Sequence, residues 1–567
     1  MTLRIFATAA ALGALIGTCS AQADTAGDVL RGGLPISLSG SYLAARSADT
    51  AQDFKAASTY FSAALGYDPE NPVLLERVLL LQVANGELEF AEAYADRLVA
   101  LDARNPLARL LRAVGAIRDG EFEKAQSELV QTAQAPLAVL TSGLLGAWAS
   151  EGLGRVDEAK AKIKGLSGPS WYGIFKDYHT AIIADLNGQT DEAVAAITTA
   201  FETDGAALRV VEAYGRILAR AGLRDKAIAG LATFLAEQPN QPVIGELLLA
   251  LKSGVTPDPV VANVREGAAD LLYGLGSAIG TDQGPELSAA YLQLARHLVP
   301  ESDLTIMALG DLLLLSDHCE DAIAVYDEVP ASSKLRRNAD IQSGLCLDLL
   351  ERTDEAAKHI KRVIDTNSAD IEAVTALGNI YRGRDRFAEA AEVYTRGIAT
   401  IKQPVATDWR IFYFRGVSYE RSKRWKEAEA DLLKALELNP DQPQVLNYLG
   451  YSWVDMGLNL DKGLDMIKSA VDQRPNDGYI VDSLGWAYYR LGRYEDAVEQ
   501  LERAVELKAD DPVINDHLGD AYWQVGRKLE ATFQWHHARD LDPEPADLAK
   551  IVKKLENGIA SNDGKDG

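Results

Sequence analysis

A small residue recurs every 34 positions in the first part of this sequence of 567 residues. After an irregular stretch the same spacing resumes and continues, with three small slips, towards the C terminus. The series is Ala57, Ala91, Ala125, Ala159, Ala193 and Ala227, followed by Ser288, Ala322, Ala356, Ala390, Ala428, Gly463, Ala497 and Ala531. A fixed period of this length is typical of a chain built from stacked copies of one supersecondary unit. About fourteen such units fit between Leu38 and Pro543.

Each unit contains two short segments with the apolar periodicity of amphipathic helices. Neither helix can bury its apolar face alone, so neighbouring units must stack. The small residues above fall in the second helix, and a glycine recurs in the first. These glycines are Gly310, Gly344, Gly378, Gly416, Gly450, Gly485 and Gly519. Because glycine costs a helix roughly 1 kcal/mol relative to alanine, its recurrence predicts that two helices cross closely at this position.

One unit shows the full pattern most clearly. It combines Leu377-Gly378-Asn379-Ile380-Tyr381 with Ala390 and Tyr394 and, one repeat later, with Leu436 and Pro440. This pattern resembles the tetratricopeptide repeat, in which L-G-x2-Y is followed by alanine, an aromatic residue and proline. The resemblance implies an all-α fold, a right-handed superhelical α-solenoid of about 14 helix-turn-helix units.

The N terminus has the features of a secretory signal peptide. A basic residue precedes an apolar run over residues 5–17, and the small-residue motif Ala21-Gln22-Ala23 follows. We therefore expect residues 1–23 to be removed and the mature chain to be periplasmic. Cys19 supports an alternative, an outer-membrane lipoprotein, although Thr18 stands where lipoprotein signals usually have glycine or alanine.

The repeat period organises the rest of the chain. It fails once, because 61 residues separate Ala227 from Ser288 where one unit would use 34. The predicted regions are 24–37, an N-terminal linker; 38–240, an N-terminal repeat block; 241–285, an irregular repeat or hinge; 286–543, a C-terminal repeat block; and 544–567, a capping helix and disordered tail. Outside the signal peptide, no apolar stretch approaches the roughly 20 residues that cross a bilayer, so we expect no transmembrane span.

Composition argues against several classes of function. The formal net charge of −26 argues against a nucleic-acid partner, because phosphate binding needs clustered lysine and arginine. The seven histidines are scattered, and His536-His537 has no partner at metal-ligand spacing. Gly274-Leu275-Gly276 does not open a phosphate-binding loop. We therefore expect no enzyme activity, no metal site and no cofactor.

Two cysteines remain if the signal peptide is removed. Cys319 lies at the start of a second helix and Cys346 within the next first helix, and such elements should be adjacent. An exported compartment permits a disulfide between them. The alternative is a pair of buried thiols.

The resemblance also predicts which residues face a partner. In tetratricopeptide repeats, positions 2, 5, 9 and 12 of the first helix line a concave groove, whereas positions 4, 7, 8 and 11 pack inward. With the recurrent glycine as position 8, the last repeats would present Tyr413, Asn447, Tyr451, Tyr479, Asp482, Trp486, Tyr489, Asp516, Asp520 and Trp523 to the groove. We call these ten side chains the groove residues.

The chemistry of the groove residues indicates peptide or protein binding. A groove asparagine in this family commonly hydrogen-bonds the backbone of an extended peptide, and Asn447 can both donate and accept. Aromatic residues supply large rigid contacts, and the aspartates favour a basic segment. The alternative is that the protein's own C-terminal helix fills the groove.

The C-terminal repeats, about 446–543, are similar to a bacterial group of long repeat proteins of the cell envelope. Some members are outer-membrane lipoproteins that hold a carboxyl-terminal processing protease and present substrates to it. The resemblance thus implies a scaffold or adaptor whose partners are such a protease and its clients. The alternative is a structural subunit of an envelope assembly such as polysaccharide export. A solenoid of this length can also form a homo-oligomer through a terminal repeat.

Overall fold

The computed structural model describes residues 37–130, 135–280 and 284–559. Within these ranges it contains thirty α-helices, one short 3-10 helix at Ala406–Asp408, and no β-strand. The predicted all-α solenoid is confirmed. The predicted signal peptide, Cys19 and most of the predicted linker lie outside the described residues, as does the tail from residue 560.

The chain forms two compact units, and the boundary between His359 and Ile360 falls inside one helix, α19 (Thr353–Thr366). The helices of the first unit are α1 (Leu38–Thr50), α2 (Phe54–Tyr67), α3 (Pro72–Ala84), α4 (Leu88–Leu101), α5 (Pro106–Arg118), α6 (Phe122–Leu129), α7 (Pro136–Gly152), α8 (Val156–Gly165), α9 (Tyr172–Leu186), α10 (Thr190–Thr203), α11 (Leu208–Arg220), α12 (Arg224–Glu237), α13 (Pro242–Lys252), α14 (Val264–Ile279), α15 (Pro285–Leu298), α16 (Asp303–Leu315), α17 (Cys319–Asp327) and α18 (Arg336–Leu349).

The second unit continues the helix pairs to the end of the described chain. Its helices are α20 (Ile371–Gly383), α21 (Phe387–Ile398), α22 (Trp409–Arg421), α23 (Trp425–Leu438), α24 (Pro443–Asp455), α25 (Leu460–Gln473), α26 (Gly478–Arg490), α27 (Tyr494–Leu507), α28 (Pro512–Gln524), α29 (Lys528–Asp540) and α30 (Pro545–Asn557). The first helices α24, α26 and α28 pack side by side, and α22 contacts α24 through Tyr413 and Tyr448, so the four form one continuous face.

The small residues of the 34-residue series lie where the helices of a pair cross. Every alanine in the series is fully buried. A Cβ atom at Gly450 would lie 2.8 Å from the backbone oxygen of Gly463, and one at Gly485 would lie 2.5 Å from Leu501 Cγ. These separations leave no room for a side chain, which explains the recurrent glycine in the first helix.

The turn inside each pair requires a residue in the left-handed region. Gly120 has φ of 77°, and glycines occupy the matching turns through much of the first unit. Lys423 takes the same position in the second unit with φ of 61°. This turn reverses the chain in few residues, so both helices of a pair can pack along their length.

The segment in which the 34-residue period fails forms three helices in the first unit. Helix α13 packs on α11 and α12 as an unpaired first helix. Helices α14 and α15 form an antiparallel hairpin that packs against the first helices α3, α5, α7 and α9. We call α14 and α15 the groove-filling hairpin, because it covers the face that first helices expose in a repeat array of this kind. Whether residues 241–285 act as a hinge stays a prediction.

Buried polar contacts fix the groove-filling hairpin in place. Tyr291 on α15 shares a 2.9 Å hydrogen bond with Thr141 on α7. Asp270 on α14 accepts hydrogen bonds from the Tyr178 hydroxyl and from Arg209 Nε, each at 2.6 Å. Burial raises the pKa of Tyr178 well above its ordinary value, and Asp270 adds to that shift. The phenol therefore stays neutral and donates to the carboxylate.

Trp148 is the largest side chain beneath the hairpin, and none of its surface is exposed. Its indole N–H lies 3.3 Å from Nδ1 of His179. Burial lowers the pKa of His179 to about 4, so the imidazole is neutral and can accept this hydrogen bond. Gly267 of α14 lies directly on the ring of Trp148.

Two glycines of α14 provide a matched test of this packing. A Cβ atom at Gly267 would overlap the fully buried indole of Trp148, whereas one at Gly274 would lie 3.6 Å from Phe175, an ordinary contact. We expect Gly267→Ala to destabilise the first unit by about 1–3 kcal/mol through overpacking. Gly274→Ala should be neutral or stabilise it by up to about 1 kcal/mol through helix propensity. Urea denaturation followed by circular dichroism measures both, and equal midpoints for the two variants would contradict the packing described.

Candidate functional site

The ten groove residues all lie on first helices of the second unit. Tyr413 is on α22; Asn447 and Tyr451 are on α24; Tyr479, Asp482, Trp486 and Tyr489 are on α26; and Asp516, Asp520 and Trp523 are on α28. Asn447, Asp482 and Asp520 are buried, and the other seven are half-buried. The site is thus a row of six aromatic rings with four polar side chains set between them, and their role in binding stays a prediction.

The amide of Asn447 is the polar group at the centre of α24. Its side chain is only 6% exposed, and among the described residues no donor reaches its Oδ1 atom. Gln444, one turn earlier on the same helix, also has a buried side-chain oxygen without a donor in the described chain. Two buried acceptors on one helix therefore have unused hydrogen-bonding capacity.

Aromatic rings surround one end of this helix. Tyr413 lies 6.0 Å from Tyr448 in an edge-to-face arrangement and 5.5 Å from Phe414. The Tyr448 hydroxyl donates to Glu420 at 2.8 Å. Burial raises the pKa of Tyr413 to about 12, so its phenol is neutral at physiological pH.

A second aromatic cluster lies where α26 meets α28. Trp486 stacks on Tyr489 with ring centres 4.8 Å apart, and on the imidazole of His517 at 4.1 Å. The indole N–H of Trp486 donates to Asp455 at 3.3 Å. Trp486 therefore lies between a ring of its own helix and a ring of the next repeat.

His517 is a residue of this site that the sequence analysis missed. Its Nδ1 atom lies 2.9 Å from a carboxylate oxygen of Asp482, and both side chains are buried. Burial lowers the pKa of His517, but the charge and hydrogen bond of Asp482, together with Asp516 and Asp520, raise it above its ordinary value. The sequence did hint at a charged histidine here, because His517 directly follows Asp516 and lies three positions before Asp520.

The last helix, α30, covers the C-terminal end of the groove. Lys554 pairs with Asp516 at 2.8 Å and with Asp520 at 2.7 Å. The indole N–H of Trp523 donates to the backbone oxygen of Ile559 at 3.1 Å. For these three groove residues, the structure therefore shows the alternative that the sequence left open, occupation by the protein's own C-terminal helix.

The two cysteines of the first unit lie in one buried cluster. Cys319 and Cys346 are both buried free thiols in the structure. Burial raises the pKa of Cys346, and a hydrogen bond with Cys319 raises it further. The two thiols are adjacent, and the disulfide between them stays a prediction.

Neither a metal-binding cluster nor a membrane-spanning helix is found among the described residues. Within residues 37–130, 135–280 and 284–559, no group of three or more histidine, cysteine, aspartate or glutamate side chains could hold a metal ion. No helix in the same ranges is both long enough and apolar enough to cross a membrane.

Comparison with family models gives the family of the repeats. A model described as a TPR repeat matches residues 485–526, and two described as tetratricopeptide repeats match 409–442 and 373–405. This chain carries tetratricopeptide repeats. The matched stretches include α22, α28 and the C-terminal part of α26, and they contain six of the ten groove residues.

Relatives share parts of this repeat array. The chain is 27% identical to the TPR repeat-containing protein PA4667 of Pseudomonas aeruginosa over 26% of this chain and 25% of that protein. It is 24% identical to the cellulose synthase operon protein C of Pseudomonas fluorescens over 58% of this chain and 28% of that protein. The chain therefore spans about a quarter of the length of these two relatives.

Solved structures of repeat proteins are also similar. The crystal structure of the APC/C hetero-tetramer Cut9-Hcn1 matches with 13% identity and a TM-score of 0.37, covering 94% of this chain and 98% of that chain. A tetratricopeptide repeat protein from Parabacteroides merdae matches with 14% identity and a TM-score of 0.39, covering 45% of this chain and 100% of that chain.

The pair of His517 and Asp482 predicts a pH-dependent stability. A histidine whose pKa rises on folding stabilises the fold when protonated, so its contribution is complete below about pH 6.5 and is lost as the pH rises through the raised pKa. We expect His517→Gln to lower the melting temperature most at pH 6 and least at pH 9. Melting curves of both proteins at the two pH values measure this difference.

His536→Gln is the matched control, because His536 is exposed on α29. It should leave the melting temperature unchanged at both pH values. A loss of stability in His517→Gln that is the same at pH 6 and pH 9 would contradict the ion pair.

Proposed function

We propose that this chain is a non-enzymatic periplasmic scaffold or adaptor that binds an extended segment of another cell-envelope protein along the first helices of its last four repeats. The observation that carries the proposal is the buried oxygen of Asn447, which no described donor reaches. Leaving such an acceptor unpaired costs about 1–3 kcal/mol. That oxygen has almost no exposed surface in the structure, so the backbone N–H of an extended peptide lying on α24 becomes its donor when the Asn447 amide turns towards the groove.

The aromatic residues support the same function. Tyr413, Tyr451 and Trp486 are half-buried, so each ring is held by its neighbours and still presents an edge to a partner. A ring that is already ordered loses little conformational freedom on binding, and for this reason tyrosine and tryptophan dominate binding hot spots.

Charge indicates the composition of the partner segment. Asp482, Asp516 and Asp520 lie within the groove, and the whole chain has a formal net charge of −26. A basic segment gains both from these carboxylates and from faster association with an acidic protein. We therefore propose a lysine- or arginine-bearing segment as the occupant.

The envelope assignment rests on the sequence. The signal-peptide features of residues 1–23 support export, and Cys19 supports lipid anchoring at the outer membrane as the alternative. The resemblance of about 446–543 to envelope adaptors supports a carboxyl-terminal processing protease and its clients as partners. Tetratricopeptide repeats generally act as non-catalytic scaffolds, which supports the absence of enzyme activity.

A second candidate is a structural subunit of an envelope assembly such as polysaccharide export. The match to the cellulose synthase operon protein C over 58% of this chain favours it. Partners that co-purify with the protein separate the two candidates. An adaptor returns a protease and its clients, whereas an assembly subunit returns synthase or outer-membrane pore subunits.

The groove is tested with the double variant Asn447→Ala/Trp486→Ala. We expect it to lose one stoichiometric partner in crosslinking and affinity capture from the periplasm, followed by mass spectrometry. Losing a hot-spot residue costs about 2 kcal/mol or more, so the affinity should fall at least about 30-fold. Helicity should be retained, because neither truncation removes a residue from the helix-pair crossing.

Asn439→Ala/Phe533→Ala is the matched control, since it removes one amide and one ring from second helices. Phe533 is 67% exposed on α29, and Asn439 is the C-cap of α23. This control should capture the partner as the wild type does. Unchanged capture by the folded groove variant would reject the groove as the binding surface.

Export is tested separately by fractionation and intact-mass measurement. A soluble periplasmic chain that begins near Asp24 is the expected result. A diacylated chain that begins at Cys19 would establish the lipoprotein alternative. An unprocessed cytoplasmic chain would contradict the envelope assignment.

A further inference from the structure

Helix α30 contacts both helices of the last pair, whereas a helix that only caps the array would cover the last second helix. It packs on α29, the second helix of the last pair, and it also reaches across α28. Ile551 is 1% exposed in a cluster with Leu518 and Trp535, and Leu555 and Ile559 pack against the same cluster beside Tyr489 and Trp523. One face of α30 is thus buried over the aromatic end of the groove.

Lys554 is the most buried charge of α30. Its side chain is 19% exposed, and Asp516 and Asp520 are 16% and 7% exposed. Burial lowers the pKa of Lys554, but the two carboxylates outweigh this effect and raise it, so the ammonium group remains charged. Asp520 also accepts a 2.9 Å hydrogen bond from Trp535. The cation and both carboxylates are therefore held in one fixed arrangement.

The residues after α30 contact the groove as a peptide would. Gly558 ends the helix with φ of 69° and lies against the ring of Trp523. The indole N–H of Trp523 then donates to the backbone oxygen of Ile559. A groove side chain thus recognises the backbone of a non-helical segment, and a neighbouring acidic pair binds its lysine.

We propose that α30, with Gly558 and Ile559, is an internal competitor for the groove, and that an incoming partner displaces it by presenting its own lysine to Asp516 and Asp520. This inference rests on the proposed function and adds its regulation and the chemistry of the partner. In the resting protein the C-terminal end of the groove is occupied. The region around Asn447, whose side-chain oxygen has no donor within the part of the chain that the structure describes, is where a partner binds first.

Lys554→Gln tests the proposal, and Lys553→Gln is its control. The two lysines are adjacent and the two changes remove the same charge, but Lys553 is exposed whereas Lys554 holds both aspartates. Hydrogen–deuterium exchange of the full-length protein should show lost protection over residues 545–557 in Lys554→Gln and wild-type protection in Lys553→Gln. Equal protection of α30 in both variants overturns the proposal.

A synthetic fluorescein-labelled peptide with the sequence of residues 545–559 is the probe for the vacated groove. It should bind the Lys554→Gln protein at least tenfold more tightly than the wild type or Lys553→Gln. A second peptide has glutamine at the position that corresponds to Lys554. It should bind the Lys554→Gln protein no more tightly than it binds the wild type. Equal affinity for all three proteins shows that α30 only caps the last repeat, and it overturns the proposal.

The probe is a segment of this chain, so its binding does not depend on any envelope partner. If the peptide binds Lys554→Gln tightly but no partner is captured from the periplasm, the proposed function is rejected, whereas the role of α30 as an internal competitor is kept. A dimer that keeps α30 protected in Lys554→Gln would show exchange of α30 between copies and would also overturn the proposal.

Discussion

The close crossing of two helices within each repeat is the contact on which the rest of the structure depends. At one crossing a small residue of each helix meets the other, as in the approach of Gly450 to the Gly463 backbone. At others the glycine of the first helix makes room for a large side chain of the second, as Gly378 does for Tyr394. A crossing that tight fixes the rotation of the first helix about its axis. One face of that helix is then buried against its partner, and the opposite face is presented for other contacts. Repetition of the same crossing places equivalent residues of successive repeats in rows.

The two units use that presented face differently. In the first unit it carries Trp148, Tyr178 and other large residues, and the groove-filling hairpin buries them. Burying rings of this size stabilises the unit, so the face has become part of its core. In the second unit the face combines half-buried rings with Asn447, Asp482 and Asp520. A buried polar side chain is stable only when it has a hydrogen-bond partner and, if it is charged, an opposite charge nearby. Lys554 is the partner of Asp520, whereas no group in the described chain donates to the Asn447 oxygen.

Local signals made much of this arrangement predictable. The 34-residue period located the helix pairs, and the recurrent glycine gave the register that put ten residues on one face of α22, α24, α26 and α28. Contacts between distant segments were not predictable in the same way. Thr141 and Tyr291 are 150 positions apart, and Lys554 is 38 positions from Asp516. Neither pair follows from the repeat period. The sequence did contain one signal for the groove-filling hairpin. Leu144, Trp148 and Ile182 put large apolar side chains on the groove-facing side of α7 and α9, where a groove open to solvent would carry polar residues.

Site-specific photo-crosslinking in living cells tests the central claim most directly, that the groove of the last four repeats binds another protein. A photoreactive phenylalanine analogue is placed at Tyr413, in the groove and apart from the contacts of α30, or at Phe533, exposed on the second helix α29. The account predicts one abundant crosslinked partner from position 413 and none from position 533. Crosslinks to a partner from position 533, with none from position 413, would contradict it.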